Sequence, residues 1–419
     1  MFSHLIFLIL AVLLITFSQG VPLPSWITSM WFTAGAGALL YLCVLLLIYW
    51  QGKTRKSRKG LIYNIVQMEL LIFLALYLLG LGGNAVFGVF QTANAILGVA
   101  LYLGGLAVFH YSWAVREGES APEQIAEQQV RLIVPFVIPF LFFLFMIDLI
   151  DHFATPNLDS WWLWLFELSF VGLTLFLIPP LLIAVWQCVP MQDSQLKERL
   201  EAICQKAGFK HGGILDWSIL NRSHTAAILG AFPPFRYILF TKNLQNELSP
   251  EAIEAVLAHE IGHSQRRHLL WYPVIFFGIV ILTALYTVWG SPWIESWFSG
   301  SILYPFAVFI PYALILWLYF RYVFGFFSRL FERQADLHCF ELNIPPDHMI
   351  NALDDVAKAT GFTHSAPNWH HHSIEERIRF LEKAKQNPQV IAKHHRFVNR
   401  ALVAYVAVML LGVYLMEKV

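Results

Sequence analysis

The chain has 419 residues, of which 57% are hydrophobic and only 13% charged, and it carries 35 Phe, 15 Tyr and 15 Trp. Soluble chains carry about a quarter charged residues, so this composition excludes a soluble enzyme and describes a polytopic membrane protein. The 28 basic and 28 acidic side chains cancel, which removes any whole-chain argument for a nucleic-acid partner, and four cysteines (Cys43, Cys188, Cys204, Cys339) with no CxxC pair exclude a disulfide framework.

A helix needs about 20 mostly apolar residues to span a bilayer. Nine stretches qualify in chain order: Leu5–Phe17, Trp31–Trp50, Leu61–Leu81, Ala93–Trp113, Leu132–Ile150, Trp161–Trp186, Leu269–Trp289, Ile302–Phe320 and Ala401–Met416. The first is short, and Ser18-Gln19-Gly20 has the small residues a signal peptidase reads. No Lys or Arg precedes it, so an uncleaved segment is expected. Trp and Tyr at many of the ends fit an interfacial aromatic belt.

The connections 18–30, 82–92, 151–160 and 290–301 contain no Lys or Arg. Lys53, Arg55, Lys56, Arg58 and Lys59 crowd one alternate loop, and the polar stretches 187–268 and 321–400 hold most of the rest. Of the 28 basic residues, all but Lys418 fall on one side, which the positive-inside rule makes the cytoplasm. The expected organisation is an N-terminal membrane portion (1–187, about six spans), a polar block (188–268), a membrane hairpin (269–320), a second polar block (321–400) and a final anchor (401–419).

The chemistry-bearing motif closes the first polar block. In SPEAIEAVLAHEIGHSQRRH (249–268), Ser249 suits an N-cap, Pro250 the first helical position and Glu251 the positive helix start. His259, Glu260 and His263 form HExxH on that helix. The i,i+4 spacing places both imidazoles on one face, where they can bind one zinc ion, and Glu260 between them can reach a reacting water. A capped amphipathic helix with merely solvated histidines would share the spacing. Catalytic zinc takes three protein ligands and keeps one position open. SRLFERQAD (328–336) offers Glu332 as the third and Asp336, one turn later, as a carboxylate orienting a ligand histidine.

VLAHEIGH followed about seventy residues later by SRxxExxAD resembles the membrane-embedded zinc metallopeptidases that include the type I CAAX prenyl endopeptidase and the HtpX-like proteases. The resemblance covers roughly 195–385. It implies an α-helical polytopic membrane protein with a cytosolic α+β zincin-like (gluzincin) catalytic domain, one Zn2+ per chain on His259, His263 and Glu332, and Glu260 as catalytic acid/base. HHSIEERI (371–378) is similar to a later family segment, THPxxxxRI, so the resemblance implies that His371 and Arg377 contact the substrate or stabilise the oxyanion. Two positions depart from the family pattern: His372 stands where Pro is usual, and Thr225 stands where Asn is usual. The first six membrane segments show no motif of the prenyl endopeptidase.

The expected activity is hydrolysis of peptide bonds in membrane-associated, misfolded or lipidated proteins. The expected partners are protein or peptide substrates and the lipid bilayer, with no nucleic acid. A non-catalytic metal-responsive receptor or transporter is the alternative, which gives Glu260 no task between two ligands. TAAILGAFPPFRYILFT (225–241) reads as two short strands around a Pro-Pro turn, whose free edge can take an extended peptide. His370 to His372 read mainly as a solvated loop, apart from His371, and His268 as a structural residue at the membrane surface. Asp148, Asp151, His152, Asp159 and Glu167 cluster on the outer side, where acids at helix ends more often reach water than hold a cation.

Overall fold

The computed structural model describes residues 2–21, 27, 29–54, 59–88, 90–153, 160–220, 223–301, 303–360 and 372–416. Among the described residues, seven helices are long and apolar enough to cross a bilayer: Met30–Thr54, Gly60–Gly80, Gln91–Arg116, Pro122–His152, His268–Phe298, Tyr304–Glu341 and Gln389–Met416. These coincide with seven of the nine expected stretches and make the chain a multi-pass membrane protein. Ile6–Gln19 and Phe176–Val185 are apolar helices at the other two, and shorter over their described residues. Helices suit this setting because each backbone polar group is satisfied within its own segment. The chain divides into two compact units, Met1–Gly172 with Ser291–Leu314, and Leu173–Gly290 with Ile315–Val419.

In the first unit, small residues let helices approach closely. A Cβ on Gly105 would lie 2.3 Å from Leu70, and one on Gly37 would lie 2.4 Å from the Tyr77 ring. Phe73, Tyr102 and Phe109 fill the centre. The buried Gln51 side chain donates through Nε2 to Glu69 Oε1 at 2.6 Å. Asp148, read from sequence as part of an outer acidic cluster, accepts from the backbone N–H groups of Gln91 (3.1 Å) and Thr92 (2.9 Å). It thereby caps the free amides that open the helix Gln91–Arg116. Asp159 of that cluster lies outside the described residues.

The second unit is α+β. Strands β1 (Val189–Pro190), β2 (Gly213–Asp216), β3 (Ala226–Leu229) and β4 (Tyr237–Phe240) form one sheet in the order β1-β2-β4-β3. β2 and β4 run parallel; β1 and β3 flank them antiparallel. β3 and β4 are the hairpin expected around Pro233-Pro234, and β3 is an edge. The buried strand residues Ile214, Ile238 and Phe240 pack with Leu257 and Ile261 of the helix Pro250–Gln265. That helix ends where Arg267 takes a left-handed backbone (φ 59°), which redirects the chain into His268–Leu285. The span beginning at Tyr304 continues through a π turn, Tyr319–Phe324, into the helix Gly325–Asp336. The sequence pattern placed a change of environment near 320; the helix itself runs on without a break.

Candidate metal centre

The helix Pro250–Gln265 starts as its sequence requires. The Ser249 hydroxyl accepts from the Ala252 N–H at 3.2 Å, and Pro250 occupies the first turn, where no N–H is needed. Once the helix is set, His259 and His263 lie one turn apart with their Nε2 atoms 3.2 Å from each other. Gly262 allows a second helix to reach them. A Cβ there would lie 2.8 Å from the His338 Cβ and 3.1 Å from the Ala335 Cα, so the helix Gly325–Asp336 packs backbone against backbone.

That contact brings Glu332 to the histidines. Its Oε1 is 3.4 Å from His263 Nε2, and its Oε2 is 3.7 Å from His259 Nε2. One donor atom from each of His259, His263 and Glu332 lies within 4.8 Å of the others, and among the described residues this is the single group of three or more His, Cys, Asp or Glu so arranged. Two neutral imidazole nitrogens and a carboxylate oxygen are a donor set that suits a divalent ion such as zinc.

Asp336 lies behind His259. Its Oδ1 accepts from His259 Nδ1 at 2.9 Å, which leaves Nε2 as the free lone pair facing His263 and Glu332. The other face of the same carboxylate takes a fork from Arg377, Nε to Oδ2 at 2.9 Å and Nη2 to Oδ1 at 2.6 Å. Arg377 Nη1 is also 3.7 Å from Glu332. Sequence reading assigned Asp336 to a ligand histidine and Arg377 to substrate; the structure joins the two residues directly.

Glu260 is half-buried beside the cluster, and its carboxyl pKa is raised above its ordinary range, mainly by desolvation and in part by the Glu332 charge. The backbone of Ile228, on the edge strand β3, hydrogen-bonds to it. Ile228 pairs with Ile238, while Thr241 N–H donates to Thr225 three pairs further along. Hydrogen-bonded pairs alternate in an antiparallel ladder, so the amides and carbonyls of Ala226 and Ile228 point away from β4, towards the open edge.

His371 lies outside the described residues. His372 sits 3.6 Å from Glu376, and burial, reinforced by the Arg333 charge, lowers its pKa to about 4. Just after it, Ser373 and Glu376 form a capping box that starts the helix Ile374–Gln386 and presents Arg377. The local signal S-x-x-E was available in the sequence. His268, read as a membrane-surface residue, is instead buried against the cluster, its Nδ1 3.0 Å from His263 Nδ1.

The profile of Peptidase family M48 matches residues 190–385. CAAX prenyl protease 1 of Saccharomyces cerevisiae is 26% identical over 274 residues, which are 58% of this chain and 59% of that protein. The CAAX prenyl protease 1 homolog of Arabidopsis thaliana is 26% identical over 241 residues, 53% of this chain and 55% of that protein. The chain thus spans little more than half the length of the curated relatives it matches. A crystal structure of S. mikatae Ste24p aligns with TM-score 0.45 at 20% identity, covering 84% of this chain and 97% of that one.

Proposed function

We propose that the protein is an integral-membrane zinc endopeptidase, a reading supported by the match of residues 190–385 to the profile of Peptidase family M48. The observation that carries the reading is the convergence of His259, His263 and Glu332 beside a half-buried Glu260, with Asp336 orienting one imidazole. His259 and His263 would hold the ion through Nε2, and Glu332 through a carboxylate oxygen. When bound, zinc supplies Lewis acidity that polarises a carbonyl and lets water act as a nucleophile near neutral pH.

The chain's own residues do the rest. Glu260 takes a proton from the attacking water and returns it to the leaving amine. Its position against β3 places that base beside the edge where an extended peptide would lie, held by the outward amides and carbonyls of Ala226 and Ile228. Such backbone pairing demands little of the substrate's sequence. For Arg377 we favour an anchoring task, since its Nε and Nη2 already hold Asp336. His371 remains the proposed donor to the oxyanion, on the family resemblance alone. The basic-residue asymmetry supports a cytoplasmic active site. Membrane-associated proteins are the proposed substrates, and the relatives' designation as CAAX prenyl proteases makes lipidated peptides the first to try.

A metal-binding receptor would need the ligands and not the base. The test is therefore Glu260→Gln, with zinc content and cleavage of both an unfolded casein and a prenylated peptide measured with and without chelator. The wild type should hold about one zinc per chain. The variant should keep that zinc and lose cleavage by on the order of 10²- to 10⁴-fold. Wild-type cleavage by the variant would sink the mechanism, and cleavage of one substrate alone would name the class.

A further inference from the structure

Behind His263 runs a line of polar side chains that the peptidase reading does not use. His263 Nδ1 lies 3.0 Å from His268 Nδ1; His268 Nε2 lies 3.1 Å from Gln334 Oε1; Gln334 Nε2 lies 3.0 Å from His395 Nδ1. His395 Nε2 then sits 3.4 Å from Glu341 Oε1 and 3.3 Å from Arg266 Nη2. His268 is buried, with its ring stacked on Phe331 at 4.2 Å, so neither the ring nor its contacts can swing freely.

A neutral imidazole donates through one nitrogen and accepts through the other, and a carboxamide donates only through nitrogen. The line therefore has two self-consistent polarities. In one, His263 Nδ1–H donates to His268, His268 Nε2–H to the Gln334 oxygen, the Gln334 nitrogen to His395, and His395 Nε2–H to Glu341. In the other every proton is reversed: Arg266 donates to His395, the Gln334 amide is flipped, and His268 donates to His263. The second puts the remaining proton on His263 Nε2, the atom that faces His259 and Glu332. Only the first leaves that nitrogen with a lone pair for a metal.

Resting on the zinc-peptidase reading, we infer that His268, Gln334 and His395 form a proton-ordered chain, terminated by the Glu341 carboxylate, that fixes His263 in its metal-binding tautomer. His268 is the positioning residue, because it alone touches the ligand. At the far end Arg266 is ion-paired with Glu341, whose other oxygen meets His338 Nδ1 at 2.9 Å, so His395 Nε2 faces both a donor and an acceptor. The carboxylate, an acceptor only, selects the polarity that suits the metal. The same carboxylate also makes the ligand nitrogen a better donor, as carboxylates behind ligand histidines do elsewhere.

The test measures zinc affinity by competition with a chromophoric chelator, and the visible absorption of the cobalt-substituted full-length protein. His268→Ala and Gln334→Met should each weaken zinc binding by about 10- to 100-fold and shift the cobalt bands. His268→Gln, whose side-chain oxygen can accept from His263 while its nitrogen donates to Gln334, should recover most of the loss. The metal-free proteins should melt with the wild type. Should His268→Ala fail to fold, Gln334→Met decides alone, since it breaks the chain without touching His263. Wild-type zinc affinity and cobalt spectrum in Gln334→Met, or no recovery in a folded His268→Gln, would overturn the inference. A wild-type protein that binds no zinc would instead overturn the peptidase reading itself.

Discussion

Two side chains meet on the carboxylate of Asp336, His259 from the HExxH helix and the forked guanidinium of Arg377. Asp336 is almost fully buried, so its charge survives only with those partners. From sequence alone, loss of Arg377 is expected to slow turnover and spare the fold. The structure predicts otherwise. Arg377→Ala strands a buried carboxylate and should cost about 3–5 kcal/mol of stability, lowering zinc occupancy in step. Arg377→Lys should restore little, because one ammonium cannot reproduce the fork. Thermal melts with zinc analysis on the two variants check this, and a stable, zinc-replete Arg377→Ala would return the residue to the substrate. What the sequence made legible at this scale was local: Ser249, Pro250 and the i,i+4 spacing of His259 and His263 all follow from helix geometry. The tie between His268 and Gln334 spans 66 residues, and that between Gln334 and His395 spans 61. No local pattern encodes such pairings, so an isolated histidine near the bilayer carried no sign of its neighbours.

Among the elements, the HExxH helix and the helix Gly325–Asp336 decide whether the three donors can meet. Gly262 sits at their crossing, where an added Cβ would lie 2.8 Å from His338. Gly262→Val should force the helices apart, at about 1–3 kcal/mol, and separate Glu332 from the imidazoles. Zinc affinity should therefore fall more than stability does, whereas Gly60→Ala, with open space around its Cβ position, should change neither. Equal zinc affinity in both variants would show that the crossing tolerates expansion. The sheet was only half legible. The β3–β4 hairpin announced itself as two short apolar runs joined by Pro233-Pro234. β1, with two residues, is too short for any pattern to register, and β2, as long as β3 and β4, has no tight turn joining it to a neighbour. β2 is defined by its parallel partner β4, a pairing made across the intervening hairpin.

For the whole molecule, the hydropathy of the spans was the strongest sequence signal, because lipid imposes a length and a polarity that few other environments do. The orientation is the proposal that follows from the basic residues. Single cysteines placed in 151–160 and 290–301, in a chain lacking Cys43, Cys188, Cys204 and Cys339, should react with an impermeant maleimide in intact cells. Cysteines within 195–260 should react only after lysis, and the reverse pattern would invert the topology. The division of the site between two stretches of chain also sets a schedule for its birth. Synthesis delivers His259 and His263 first, then a pair of crossings, and only afterwards Glu332, Asp336 and finally Arg377. A nascent chain paused in the translocon after residue 268 carries two imidazoles with no carboxylate to complete them and no guanidinium to steady the base of the cluster. By the proposed ligand set, metal capture must wait until both crossings have been threaded and the stretch that carries Glu332, Asp336 and Arg377 released. On the proposed function, the bilayer insertion machinery acts as a timer, and the newborn chain stays inert while it is still unfolded substrate itself.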